Sequence, residues 1–491
     1  MKDFIEQIKT NAEKYPDRIA VIDKERKITY GEFLSKVNSI ACQLSKVKSN
    51  PKVVIDLEQG FEAYALIVAV LNVGGTYCPL NPTAPIERKK QIINEFSPDL
   101  TIVSSGNNSE VNPIKTITLE CLLANKNDEN IEVNVSYDDE AIIYIIYTSG
   151  STGVPKGVKI CRKALNKFLE WAIPEYAANE NDVWGQFSFL SFDLSIIDIF
   201  TCLCSGATLY AMNDLSSKKF RPAGEIEKAK ITVWHSIPSA VEFMIKNWQR
   251  KIYDFSSLRL MSFCGEPLKK HQVEFLFEKN NSIRIFNTYG PTEGTLFCTW
   301  QELNTTNYLN YSQFSMSIGK AIPGWNLQLN SIEGFEEKEI IIYGDYIGKG
   351  YLNNISDSKF KTLIVEGKDT ESFETGDLVC EVNGNLYFSC RKDRQVKVKG
   401  HRIELDEIDF RINEFLKLTS VTIVNNDTLY SFIETLENLN EPEIRTYLKT
   451  VLEEYKIPNG FYAIAEIPRS QNQKVDVNIL KEKLNEKLKV T

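Results

Sequence analysis

At 491 residues the chain is too long for one ordinary hydrophobic core, so two or more domains are expected. Its composition, 43% hydrophobic and 25% charged, is that of a globular protein and excludes a collagenous or largely disordered chain. With 57 basic against 66 acidic residues the formal charge is -9, which argues against electrostatic capture of nucleic acid or of an anionic membrane.

In chain order, MKDFIEQIKTNAEKYPDR carries acids and places Phe4, Ile5 and Ile8 on one side of an amphipathic helix, unlike a secretory signal. VVID after Pro51 reads as a strand, and the segment from Phe61 to Val73 as the helix packed on its face, which is α/β punctuation. The longest apolar run, Ala63 to Leu71, falls far short of the roughly 20 residues that cross a bilayer, so a soluble protein is expected. Polar stretches at 104–113, 124–130 and 304–313 read as surface loops inside a large domain. The 10 cysteines contain no CxxC pair and there are only 3 histidines, so neither zinc spacing nor a small disulfide framework can be built. Reduced thiols in a cytoplasm follow as the expected state. Cys202 and Cys204 stand in an apolar stretch at strand-like spacing and read as buried packing.

Chemistry enters at YIIYTSGSTGVPKGVKI. A β-rich run ending near Tyr147 opens into Thr148, Ser149, Gly150, Ser151, Thr152, Gly153, Val154, Pro155, Lys156 and Gly157. Glycines let the backbone approach anionic oxygens, the hydroxyls add donors, and Lys156 supplies a compact positive charge, so the loop suits a polyphosphate. It is not a Walker loop, because Pro155 stands where that pattern requires Gly and Gly157 follows the lysine.

The string resembles the phosphate loop of the acyl-adenylate-forming, or AMP-binding, superfamily, which includes acyl-CoA synthetases, luciferases and the adenylation domains of nonribosomal peptide synthetases. Further matches follow in the family's order: LNVGGTYCPLNP at 71–82, NTYGPTEGT at 287–295, ETGDL at 374–378, RKDRQVKVKGHRIEL at 391–405 and NQKVD at 472–476. The resemblance therefore spans nearly the whole chain. It implies an α/β fold: a large amino-terminal domain over 1–392, built of layered α/β subdomains with a small β-barrel-like part, and a small mobile α+β domain over 393–491, with Asp393 as the hinge.

Adenylation brings a carboxylate to the α-phosphate of ATP, two anions that repel, so a site for it must neutralise charge and hold both groups in line. By resemblance Glu293 coordinates Mg²⁺ and Thr292 donates its hydroxyl to the α-phosphate. Tyr289 lies against the adenine, Asp377 accepts the ribose hydroxyls, and Arg391 is a donor nearby. Gly265, Glu266, Asn287 and Thr288 complete the nucleotide set. Lys474 is the implied catalytic lysine, reaching between substrate carboxylate and phosphate. The sequence departs from the family pattern at Gln473, where a glycine usually precedes that lysine, and at Cys390, where a glycine usually precedes the arginine.

What is activated depends on the pocket. Asp193, in SFLSFDLSIID at 188–198, falls where amino-acid activators place a carboxylate for the substrate's α-ammonium, a partner that a buried ammonium demands. Read alone, the same residue is an ordinary helix cap. The remaining implied pocket positions are Leu194, Ile197, His235, Ser262, Cys264, Thr288, Leu296 and Phe297, which suit a small or apolar side chain; His235 reads equally well as a satisfied core histidine. FDLS, FCGE and IFNTYGPTEGT carry a likeness to the D-alanine:D-alanyl carrier protein ligases within this family. No GGxS-like turn of a carrier protein is present and only seventeen residues follow Lys474, so the phosphopantetheine thiol is expected in trans. Two rival readings remain: an acyl- or aryl-CoA ligase using the same apparatus, and a non-catalytic nucleotide-binding homologue.

Overall fold

FEAYALIVAVLN is apolar all round, and it forms helix Phe61–Asn72, in which every residue from Ala63 onward is buried. A helix with no polar face belongs between layers rather than on a surface. The computed structural model describes residues 2–104, 116–124, 137–148, 155–344, 346–352, 358–468 and 475–490. They fall into two compact units, one holding Met1–Pro82, Ile93–Tyr147 and Gly157–Lys392, the other Thr83–Ile92, Thr148–Lys156 and Asp393–Thr491.

Among the described residues the first unit contains three sheets. One has nine strands in the order Lys320–Ala321, Thr299–Leu303, Arg284–Tyr289, Leu260–Phe263, Val233–Ser236, Val183–Gln186, Thr208–Ala211, Ile19–Asp23 and Arg26–Thr29. Its centre, from Arg284–Tyr289 to Ile19–Asp23, is parallel, and antiparallel strands close both edges. A second sheet of six strands runs parallel from Thr116–Thr118 through Leu100–Val103, Lys52–Asp56 and Thr76–Pro79 to Ile142–Thr148, with Lys156–Cys161 beyond. The third is an antiparallel sheet of five strands, including the long strand Lys368–Val382 paired with Asn385–Arg391. Buried side chains of the first two sheets and of helix Phe61–Asn72 share one core. The amino-terminal segment forms helix Phe4–Lys14 with Phe4, Ile5 and Ile8 buried, as its periodicity requires.

One reading is corrected. Cys202 and Cys204 lie in helix Leu194–Ser205, not in a strand, though both are buried. The run LSIIDIFTCLCS is apolar on all sides, so it carries no period that separates the two structures. Gly206 ends the helix in the left-handed conformation, φ 76°.

The second unit has a hairpin, Gln395–Val398 with His401–Glu404, and a sheet of Ser420–Asn425, Thr428–Glu434 and Gly460–Ile464. Helices Leu405–Leu416, Glu441–Val451 and Val477–Val490 accompany them. Within this unit Arg88 and Lys456 form a buried cluster of alternating charge with Glu407 and Glu453: Arg88 Nη1 lies 3.1 Å from Glu407, and Lys456 Nζ 2.8 Å from each glutamate. Among the described residues no helix is long and apolar enough to cross a membrane.

Candidate active site

Three neighbouring parallel strands, Val233–Ser236, Leu260–Phe263 and Arg284–Tyr289, bring the central site residues to their carboxyl ends, where open α/β sheets place ligands. Their register sets His235 beside Ser262, and Phe263 beside Asn287. Cys264 follows directly and is buried, its N–H donating to Ser236 O at 3.2 Å. Gly265, at φ 93°, turns the chain.

Asp193 occupies the cap position of helix Leu194–Ser205, yet its carboxylate makes no capping bond. Instead Thr292 Oγ1 donates to Asp193 Oδ2 at 2.7 Å. The segment around Thr292 is held tightly. Gly348 N–H donates to Glu293 O at 2.7 Å, Trp325 Nε1 to Gly294 O at 2.8 Å, and Thr295 Oγ1 to Tyr346 O at 2.7 Å. Thr295 and Leu296 both take positive φ, 59° and 71°, conformations that cost non-glycine residues energy and persist where the surroundings fix them. A Cβ on Gly290 would stand 2.4 Å from Phe297 Cα, so only glycine lets the chain double back there. Glu293 is fully buried and accepts the hydroxyl of Tyr351 at 2.7 Å.

A second group forms around Asp377, in strand Lys368–Val382 opposite Arg391. Tyr289 donates its hydroxyl to Asp377 Oδ2 at 2.7 Å, and Arg391 Nη1 donates to Oδ1. The backbone is fixed by Thr375, whose Oγ1 accepts Asp377 N–H at 3.0 Å, and by Arg391 Nη2 on Thr375 O at 3.0 Å. Burial, with Asp377 adding to it, pushes the Tyr289 phenol well above its ordinary range, so it stays protonated and donating.

The pocket positions are closed in. Leu194, Ile197, Cys264, Leu296 and Phe297 are all buried, and Phe297 packs edge-on against Phe168 with centroids 5.0 Å apart. Ser262 lies 3.4 Å from Tyr176 Oη. His235 is buried between Tyr176 and Trp184, with Nδ1 2.7 Å from Asp198 Oδ1. That is the core-histidine arrangement on one nitrogen only, since Nε2 finds no hydrogen-bond partner among the described residues.

Other expected residues have structural partners. Glu266 accepts Ser239 N–H at 2.9 Å at the start of helix Pro238–Trp248. Asn287 donates to Ser317 O at 2.8 Å, and Thr288 Oγ1 to Phe263 O at 2.9 Å. Thr148 and Lys156 end and begin their strands, Thr148 Oγ1 lying 3.5 Å from Lys156 O. Ser149, Gly150, Ser151, Thr152 and Lys474 lie outside the described residues. Asp393 is the first residue of the second unit's main segment, and its carboxylate accepts Gln395 N–H at 3.2 Å. Tyr351, Thr375 and Asp198 escape a reading of the sequence, because each is polar by type but acquires its role through a partner supplied by the fold.

The AMP-binding enzyme family model matches residues 8–352. The chain belongs to that family. This AMP-binding enzyme is 30% identical to the D-alanine--D-alanyl carrier protein ligase of Bacillus licheniformis over 503 aligned positions, covering 98% of the chain and 99% of the relative. Among solved structures it is similar to the Vibrio cholerae adenylation domain AlmE in complex with glycyl-adenosine-5'-phosphate, with a TM-score of 0.84, 25% identity and 98% of each chain covered. It also shares the fold of o-succinylbenzoate CoA synthetase from Bacillus subtilis, with a TM-score of 0.84, 20% identity, and 97% and 98% of the two chains covered.

Proposed function

We propose that this enzyme activates the carboxylate of a small amino acid with ATP and passes the aminoacyl group to the phosphopantetheine thiol of a carrier protein. A substrate carboxylate oxygen attacks the α-phosphorus, the bond to the β-phosphate oxygen breaks, and pyrophosphate leaves. The thiolate then attacks the acyl carbon and AMP departs. The observation that carries this reading is the direction of the Asp193 carboxylate: a residue at a helix cap ordinarily spends its side chain on backbone N–H groups, and here it makes no capping bond and accepts the Thr292 hydroxyl. An anion held beside the phosphate-site hydroxyl has a use when the substrate brings an ammonium group, and none when the substrate is a fatty acid. The buried Leu296, Phe297 and Cys264 support a small side chain.

In this reading Asp377 accepts the ribose hydroxyls on the lone pairs that Tyr289 and Arg391 leave, while Tyr289 flanks the base. Asp193 orients the ammonium, Thr292 meets the α-phosphate, and Lys474 neutralises charge as the carboxylate approaches. Among the described residues there is no cluster of three or more acidic, histidine or cysteine side chains for a metal. Mg²⁺ takes one or two carboxylates and otherwise phosphate oxygens and water, so Glu293, a buried carboxylate next to Thr292, would hold it. When bound it would offset phosphate charge. The second unit, with Asp393 as hinge, would move between the two half-reactions and exclude water while the anhydride exists.

The test is pyrophosphate–ATP exchange across amino acids of both hands, aryl acids and fatty acids. Exchange driven by a small amino acid supports the proposal; exchange driven only by acids without an amino group makes the protein a CoA-ligase-type enzyme, and no exchange at all makes it a non-catalytic binder.

A further inference from the structure

The chain leaves the first compact unit after Lys392 and enters the main segment of the second at Asp393. Charged side chains tie down both sides of that crossing. On the near side Lys392 N–H donates to Gly376 O at 2.9 Å, and its Nζ lies 2.6 Å from Glu339 Oε1, a buried carboxylate oxygen that also accepts Gly376 N–H at 2.9 Å. Arg391 is held next to it by Asp377 and Thr375. On the far side Arg394 bonds within its own unit: Nη1 donates to Asp406 Oδ1 and, at 2.7 Å, to Asp409 Oδ2, while Nη2 donates to Thr422 O at 2.8 Å. Asp406 and Asp409 stand in helix Leu405–Leu416 and Thr422 in strand Ser420–Asn425, so one guanidinium joins the start of the unit to a helix and to a sheet. Asp409 is buried, and its other oxygen accepts Thr422 N–H at 2.6 Å, which fixes the carboxylate that Arg394 grips.

We propose that Arg394 is a positioning residue: together with Lys392 it confines the turning of the second unit to the backbone torsions around Asp393. The inference rests on that unit moving between the two proposed half-reactions. A hinge works through a few residues that absorb the change in φ and ψ, and the anchored structure on either side decides which residues those are. Charge-assisted hydrogen bonds are the strong ones, and a planar guanidinium spread over two carboxylates and a carbonyl cannot swivel without losing them. The carboxylate of Asp393 accepts Gln395 N–H, a bond that turns with the second unit. Anchors on both sides thus leave a short pivot. Turning about it carries the second unit as a rigid body along a restricted arc, where a longer pivot would let the unit wander. Groups that must meet a reacting centre gain from the restriction, because a misplacement of about 1 Å is costly in rate.

Spin labels on Cys121 in the first unit and on Lys449→Cys in the second, both exposed positions, read the spread of orientations in the whole protein once Cys380→Ser and Cys390→Ser remove the other accessible thiols. With AMP present the parent protein is expected to give narrow label-to-label distances, and Arg394→Gln a broader distribution. Lys392→Met, which releases the near anchor, should broaden it likewise, a result available even if Arg394→Gln does not fold. In Arg394→Gln thioester formation should slow by about 10- to 100-fold while the KM values for ATP and amino acid hold, because the first unit is unaltered. Arg394→Met combined with Asp409→Leu replaces a buried ion pair by apolar contact, and should recover the melting temperature without narrowing the distances. Recovery of both would make Arg394 a merely structural residue and overturn the proposal. Arg394→Gln and Lys392→Met proteins that keep the parent's narrow distances overturn it too and leave the proposed function standing. A parent protein whose distances are the same without ligand, with AMP, and with ATP and amino acid together does not move, which also overturns the pivot. Absence of exchange with every amino acid overturns the proposed function instead.

Discussion

Tyr289 and Asp377, 88 positions apart, meet at 2.7 Å with the phenol as donor. The bond joins the last residue of strand Arg284–Tyr289 to a strand of another sheet, and Arg391 completes the carboxylate's support. Tyr289→Phe keeps the ring and removes the bond, so nucleotide affinity should fall about tenfold, the worth of one hydrogen bond to a charged group. Arg391→Lys should lower it further, because an ammonium cannot reach both Asp377 and Thr375 in the fork that the guanidinium makes. Equilibrium binding of AMP measures both, with the amino acid's own affinity expected to hold.

Phe297, which the proposed function sets at the substrate side chain, packs against Phe168 and Trp171. Phe297→Ala should cost about 3–5 kcal/mol of stability and open room for larger side chains. Exchange rates with valine and leucine relative to alanine should rise. An unchanged ratio would mean that this ring does not bound the substrate.

The charge cluster of the second unit makes its stability depend on pH in a defined sense. Burial alone would raise the Glu453 carboxyl, but Lys456 and Arg88 more than offset it and hold it at about 2. Because the unfolded carboxyl titrates near about 4.3, the contribution is complete above that pH and is lost as pH falls through about 2. Arg88→Ala leaves Glu407 and Glu453 with one cation for two anions, a change that costs about 3–5 kcal/mol for a broken buried pair. Hydrogen exchange in helix Leu405–Leu416 should accelerate in this variant at pH 7, and the difference from wild type should shrink toward pH 2.

Lys218 is a buried cation of the opposite kind. It donates to Gln59 at 2.7 Å and lies over the ring of Phe189, and burial lowers it to about 7. Between pH 7 and about 10.4 the unfolded chain binds the proton and the folded one does not, so folding gains about 1.4 kcal/mol for each pH unit in that window. Lys218→Met should abolish that gain and be the more stable protein at pH 7. Urea denaturation of both proteins at pH 7 and 9 checks the sign.

Much of the fold was legible because its signals are local. The apolar run at 63–71 specifies a buried helix, and Phe4, Ile5 and Ile8 specify a face. The ordered motifs named the family. Cys202 and Cys204 misled because an element buried on all sides has no polar stripe to reveal its period. At the site, the resemblance pointed to Asp193, Glu293 and Asp377, but not to Thr375, nor to Tyr351 and Asp198, whose partners Glu293 and His235 lie 58 and 37 residues away. The His235 side chain shows the same limit: its spacing is silent on Asp198, which only the helix register of Leu194–Ser205 brings to it.

The central claim is that Asp193 recognises an α-ammonium group. It is tested most directly by comparing pyrophosphate exchange driven by alanine and by propionate, which lacks only the amino group, in the wild type and in Asp193→Asn. The account predicts that the wild type prefers alanine by about a hundredfold or more and that the variant loses the preference, its alanine rate falling to that with propionate. A variant that still prefers alanine, or a wild type indifferent to the amino group, would contradict it.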